Sequence, residues 1–186
     1  MADTFRLWFI VLYALGLTGF LASVVRFLAR RPTIEQRIGP IPPAPAVLSW
    51  LVALGVLLTR VGQVQAEWLP LRVLGVLLSL YALVMVPWAI RVLGRHFVPG
   101  AAVLRDHAVV TSGPYRLVRH PIYSAVVALW LGAALGTLDW LLLALWPLIV
   151  FAILKHVKAE EGLLRAKFGD AYEAYSKGKG RLVPRL

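Results

Sequence analysis

The 186 residues contain no cysteine, which excludes disulfides, thiolate nucleophiles and cysteine-held metals together. Charge is scarce as well: 16% of the residues are Asp, Glu, Lys or Arg, against about 25% in an ordinary soluble domain. Apolar residues take their place at 60% of the chain, so a normally wetted surface is excluded. Acidic residues number 9 against 20 Lys and Arg, for a net charge of +11. Such a balance suits either nucleic acid or anionic lipid. Here the basic residues stand at the ends of apolar runs, which is the lipid arrangement, and no nucleic-acid partner is expected. Seven Trp and six Tyr add the amphipathic rings that favour a membrane interface.

The runs predict an all-α integral membrane protein of about five transmembrane helices, a single membrane domain over 1–186. Nineteen uncharged residues separate Arg6 from Arg26, enough to cross a hydrocarbon core of roughly 30 Å. A signal peptide would have a shorter apolar core and a small-residue cleavage site; Arg26, Arg30 and Arg31 follow instead. Five prolines between Pro32 and Pro45 predict a loop. A second span follows over 46–59 and a third over 73–90, with Pro87 expected to kink the latter. From Pro121 to Leu154 only Asp139 is charged, a stretch too long for one helix. Gly136-Thr137-Leu138-Asp139 supplies a turn, so spans four and five form a hairpin. Residues 1–90 thus hold three spans, and 91–186 hold a polar loop, the hairpin and a C-terminal helix.

Charge sets the orientation. Seventeen of the twenty Lys and Arg fall on one side: in the first loop, in the loop 91–120 and from Lys155 onward. Only Arg6, Arg60 and Arg72 fall on the other. The positive-inside rule makes the loop and the C-terminal tail cytoplasmic and the N-terminus external, in the cytoplasmic membrane if the host is prokaryotic. Loop and tail then share one compartment and can close over a common site.

Most of the polar chemistry sits in those two segments. Pro121 suits a first helical turn, which puts His120 at the start of span four. Val157, Leu164, Phe168, Tyr172 and Tyr175 recur at helical spacing, so an amphipathic helix continues span five and carries Glu160 and Glu161 near its membrane end. Singly, each feature has a plain reading. Arg116 and Arg119 are lipid anchors, His120 a helix-start hydrogen bonder, Glu160 and Glu161 a solvated face with an Arg165 pair, and the tyrosines interface anchors. Gly132 and Gly136 form a small-residue pair fit for helix packing. Their joint occurrence on one side favours a functional site.

The ordered set of Gly113-Pro114-Tyr115, Arg119-His120-Pro121-Ile122-Tyr123, Glu160-Glu161, Phe168-Gly169 and Tyr172 resembles the isoprenylcysteine carboxyl methyltransferase family. The related phospholipid N-methyltransferases share much of the pattern. The resemblance covers about 91–175 and implies S-adenosylmethionine as methyl donor, a lipophilic or lipid acceptor, and no metal. By position it implies that His107, Ala108, Val109 and Val110 line the cofactor through backbone groups and that Tyr115 contacts it. His120, Pro121, Ile122 and Tyr123 follow, with His120 near the methionine carboxylate and Glu160 as the binding carboxylate. Arg119, His156 and Glu161 are the implied catalytic-side residues. One position departs from the pattern: His156 stands where the eukaryotic enzymes carry an Arg for the substrate carboxylate. An isoprenylcysteine-type carboxylate is the first acceptor to expect, with a phospholipid amine or a small thiol as alternatives. Rival classes are an NADPH-dependent sterol-type reductase, which resembles the C-terminal region, and a non-catalytic subunit or transporter. No ionisable residue falls mid-span, which argues against an ion pathway.

Overall fold

Five apolar helices account for most of the computed structural model, which describes residues 2–38, 44–64 and 66–185. They are α1 (Ala2–Ala29), α2 (Ala44–Thr59), α3 (Leu69–Leu93), α4 (Pro121–Thr137) and α5 (Trp140–Phe168), followed by the short α6 (Asp170–Ser176). Three of them, α1, α3 and α5, are long and apolar enough to cross a membrane. The other two have 16 and 17 residues, about 24–26 Å at 1.5 Å per residue, just short of a full hydrocarbon core. The chain is an integral membrane protein. Its outward faces carry Leu15, Leu77, Val84, Leu148 and Phe151, all exposed, as lipid-facing positions should be.

The interior of the bundle is built from Phe9 and Tyr13 of α1, Ala53 and Leu57 of α2, Ala82 and Met85 of α3, Leu129 and Trp130 of α4, and Leu142 of α5. Helices α3 and α4 approach most closely. A Cβ on Gly75 would lie 2.5 Å from the Gly132 carbonyl oxygen and 2.4 Å from the Gly136 nitrogen, so only hydrogen fits there. Packing at small residues is how helices bind one another in lipid, where tails and side chains are equally apolar.

At the far end of the bundle the three isolated arginines tie helix ends together. Arg6 donates to the Leu57 and Leu58 carbonyls, Arg60 pairs with Asp3 at 2.8 Å, and Arg72 donates to the Gly136 and Ala66 carbonyls. Asp139 caps α5 there, accepting from the Leu141 and Leu142 amides at 3.0 Å. Leu138 beside it takes the left-handed conformation that ends α4.

One feature has no counterpart in the helical reading of the sequence. Ile34–Ile38 (β1) pairs antiparallel with Ala101–Leu104 (β2), so part of the expected first loop is a strand. The rest of that loop's proline-rich stretch, 39–43, lies outside the described residues. Lys167 near the end of α5 clamps the ribbon, reaching Glu35 and the carbonyls of Leu104 and Arg105. Helix α3 runs unbroken through Pro87, and α5 through Pro147.

Candidate functional site

The segment entering α4 and the segment leaving α5 meet, as their shared side of the bundle allows. His120 precedes Pro121, the first residue of α4, and carries no side-chain cap bond. Its ring lies between the two glutamates of α5: Nε2 is 3.3 Å from Glu161 Oε1, and Nδ1 is 4.0 Å from Glu160 Oε1. Tyr123, one turn into α4, donates its hydroxyl to Glu160 Oε2 at 2.9 Å. The His156 ring stands edge-on to Tyr123 at 5.6 Å.

The glutamates are neighbours in sequence and unlike in environment. Glu161 is 0% exposed, with Oε1 facing Arg119 Nη2 and His120 Nε2, each at 3.3 Å. Its Oε2 faces Arg165 at 3.4 Å and Arg181 at 3.2 Å. Four cationic or hydrogen-bonding groups thus occupy the roughly four lone-pair sites of one carboxylate. Such a charge is tolerable in a dry interior only because it is fully paired. Glu160, at 24% exposure, keeps one oxygen on Tyr123, and among the described residues the other has nothing nearer than His120 Nδ1 at 4.0 Å.

Arg181 arrives from the C-terminal tail. Gly180 bridges Val118 in parallel, the Arg119 amide donates to the Gly180 carbonyl and the His120 amide to that of Arg181, both at 3.0 Å. The tail is therefore a strap across the entrance to α4, fastened to Glu161 by its arginine.

Beside the charges lies a packed apolar cluster. Tyr115, Tyr172, Tyr175 and Ala89 are buried together, with Val109, Val110, Ile122, Leu164 and Phe168 packed against them. Tyr175 donates to the Tyr115 carbonyl at 2.9 Å. Gly113 opens the turn Gly113–Arg116 that delivers Tyr115; its φ of +56° and the 2.8 Å that a Cβ would leave to Val92 both require glycine. Burial pushes the Tyr175 phenol up to about 12 and moves Tyr115 further upward, with Glu160's charge adding to the latter. These hydroxyls stay protonated donors.

His107 stacks on His96 at 5.5 Å and meets the Phe168 edge at 5.9 Å, while its Nδ1 accepts from the Leu104 amide. Burial first, then the neighbouring His96 and Lys167, lower it to about 4, so this imidazole is neutral. Of the thirteen residues expected at the site, twelve fall within this assembly: His107, Val109, Val110, Tyr115, Arg119, His120, Pro121, Ile122, Tyr123, His156, Glu160 and Glu161. The side chain of Ala108 faces outward.

Sequence reasoning missed Arg181, Lys167 and Tyr172. Arg181 stands in a segment with no periodic signal, Lys167 is a polar position within the periodic helix, and the partners of both are distant in the chain. Tyr172 and Tyr175 had a signal, their helical spacing with Phe168, but were assigned by default to the membrane interface. The bundle buries both instead. The solvated-face reading of Glu161 fails in the same way, although its Arg165 pair is present.

Comparison with known proteins relates the chain to membrane methyltransferases. The chain is 34% identical over 74 residues to the protein-S-isoprenylcysteine O-methyltransferase of Schizosaccharomyces pombe, a stretch covering 39% of this chain and 31% of that one. Its fold matches that of the eukaryotic intramembrane Ras methyltransferase, isoprenylcysteine carboxyl methyltransferase, with a TM-score of 0.56 and 22% identity. That match covers 75% of this chain and 50% of the larger protein, so the chain spans about half the length of its structural relative. Residues 71–171 match the family model described as phospholipid methyltransferase, which runs from α3 through the glutamates to α6, and the chain belongs to that family.

Proposed function

We propose that the protein is a membrane methyltransferase that takes a methyl group from S-adenosylmethionine and gives it to a lipophilic acceptor. The observation that carries the proposal is the junction of α4 and α5, where His120, Tyr123 and the half-open Glu160 adjoin a buried cluster of tyrosines. The donor set fits the cofactor. Among the described residues Glu160 Oε1 has no partner within hydrogen-bond distance and so can take an ammonium group, Tyr115, Val109, Val110 and Ile122 offer an apolar bed, and Arg119 Nε is buried without a partner. When bound, S-adenosylmethionine supplies a methyl group already activated on a sulfonium.

The chain's own contribution is position. A displacement between aligned groups gains up to roughly 7–11 kcal/mol from orientation alone. Glu160, His120 and Tyr123 orient the donor. Glu161, with every lone pair engaged, has no capacity left to take a proton, so its part is to hold Arg119, His120 and the tail strap in place. A carboxylate acceptor needs no base. His156, partly exposed beside Tyr123, faces the acceptor, and an apolar substrate reaches it from the lipid while the polar donor enters from the cytoplasm.

An isoprenylcysteine-type carboxylate is the first acceptor, in keeping with the S. pombe relative. The phospholipid methyltransferase match favours a second, a phospholipid amine, for which His156 is the available base. The orientation proposed is N-terminus outside and C-terminus cytoplasmic, because Arg6, Arg60 and Arg72 gather at one end of the bundle while Arg119, Arg165 and Arg181 gather at the other. Calorimetry on the purified protein is expected to show S-adenosylmethionine binding and no NADPH binding. Feeding methyl-labelled donor to membranes and extracting lipids and proteins then identifies the acceptor. NADPH binding with no binding of S-adenosylmethionine refutes the proposal in favour of a reductase.

A further inference from the structure

Of the two arginines that the sequence offers as lipid anchors, Arg119 is taken up by Glu161. Arg116 is exposed and makes no ion pair among the described residues. The turn that carries it leans on the C-terminal end of α3, so closely that a Cβ on Gly113 would lie 3.3 Å from Trp88 Nε1. Trp88, Gly113, Arg116 and Leu117 line a pocket of about 400 Å³ there. Trp88 and Leu117 are both exposed, and the Trp88 indole N–H makes no hydrogen bond among the described residues. One recess on the outside of the bundle thus holds a guanidinium, an indole donor and an apolar wall, and the fold uses neither donor.

An outward recess on a membrane-spanning bundle is covered by lipid, and the charge says which lipid. Arg91, exposed one turn beyond Trp88 on α3, adds a second cation without an ion pair among the described residues. Anionic headgroups are drawn to each arginine held near the membrane surface. Tryptophan suits the same depth, with its ring in the apolar zone and its N–H toward the headgroups. From Trp88 the exposed stripe continues at helical spacing through Val84, Tyr81 and Leu77, an apolar track for an acyl chain. On that face the Tyr81 hydroxyl meets Ser124 Oγ at 3.0 Å, and the pair keeps one hydrogen for an acceptor such as an ester carbonyl.

We propose that this recess is a specific site for an anionic phospholipid. The lipid phosphate lies between the Arg116 guanidinium and the Trp88 indole N–H, and one acyl chain runs past Leu117 along the stripe from Trp88 to Leu77. The site needs only a membrane-spanning chain, and it stands whichever acceptor is methylated. Arg116 and Tyr115 leave one turn in opposite directions, Arg116 to the recess and Tyr115 into the buried tyrosine cluster. Lipid held at Arg116 therefore steadies the turn that delivers Tyr115.

The test titrates the full-length protein in detergent with phosphatidylglycerol and with phosphatidylcholine of the same chains, and measures bound lipid by native mass spectrometry. Wild type is expected to bind phosphatidylglycerol roughly fivefold more tightly, the worth of one arginine beside an anionic headgroup. Arg116→Gln is expected to lose most of that preference. Trp88→Phe keeps an apolar ring, removes the N–H and is expected to weaken the binding of both lipids. Arg26→Gln, an exposed arginine at the end of α1, is the control and is expected to keep the wild-type preference. Each variant is expected to melt with wild type in the absence of added lipid, which separates loss of binding from loss of fold. Wild type without a preference overturns the inference. So does Arg116→Gln that keeps the preference, or Arg26→Gln that loses as much, since the lipid would then answer to general surface charge. Unchanged binding by Trp88→Phe places the lipid elsewhere and overturns it too. Millimolar inorganic phosphate is expected to leave the lipid bound; displacement would make the recess a site for a free anion and refute the lipid assignment.

Discussion

Adjacent glutamates in opposite environments should respond to the same substitution in opposite ways. Glu161→Gln removes the anion that Arg119, at 12% exposure, and His120, at 4%, were buried to meet. Breaking a buried pair while its partner stays behind costs about 3–5 kcal/mol. The Arg165 and Arg181 contacts, on side chains 40% and 45% exposed, add at most about 1 kcal/mol each. Taking roughly 3 kcal/mol as the floor, and about 2–4 °C per kcal/mol for a chain of 150–250 residues, the melting temperature falls by roughly 6–12 °C. Glu160→Gln changes only the 2.9 Å bond from Tyr123 and a 4.0 Å approach to His120, within about 1.5 kcal/mol. Its melting temperature falls by at most about 3–6 °C, while S-adenosylmethionine affinity drops. Fluorescence-monitored melting of the detergent-purified proteins, followed by calorimetry on each, measures both quantities. A Glu161→Gln protein as stable as wild type, or a Glu160→Gln protein that binds the donor normally, would show that the division of labour is misassigned.

Other predictions concern the parts that hold the site. The folded-state value of His107 lies near 4, below its unfolded value of about 6.5, so the unfolded chain binds its proton first. Its contribution is therefore complete above pH 6.5 and lost as pH falls from 6.5 toward 4; His107→Gln should flatten the stability profile in that window, and an unchanged slope contradicts the assignment. Lys167→Ala frees the ribbon from α5, and faster amide exchange at Ala101–Leu104 is expected, with exchange at α4 unaffected. Gly75→Leu drives a side chain into the backbone at Gly132 and Gly136 and should abolish accumulation of folded protein in membranes. Normal expression of that variant would mean that α3 and α4 are not in contact at Gly75.

Much of this molecule is set by local chemistry. Apolar runs bounded by arginine and lysine define the helices because lipid leaves a backbone no other way to satisfy its polar groups. Pro121 starts α4, Asp139 caps α5 and Gly169 ends it, each through its own backbone or side chain. The spacing of His120, Glu160 and Glu161 relative to the helical hairpin likewise makes their meeting legible, since a hairpin returns its two ends to one side.

What the sequence could not decide was which glutamate is used up by the fold. Both stand in one helical turn with the same neighbours, and only the packing of α4 and the tail puts Arg119, His120 and Arg181 on Glu161 while Glu160 is left with Tyr123. The ribbon of β1 and β2 was illegible for a similar reason. Short strands 63 residues or more apart carry no periodic signal of their own and exist because each supplies the other's backbone bonds. Burial of Tyr172 belongs to the same class. Helical spacing marks a residue as facing something, but whether that is lipid, protein or ligand depends on which elements tertiary packing brings opposite it.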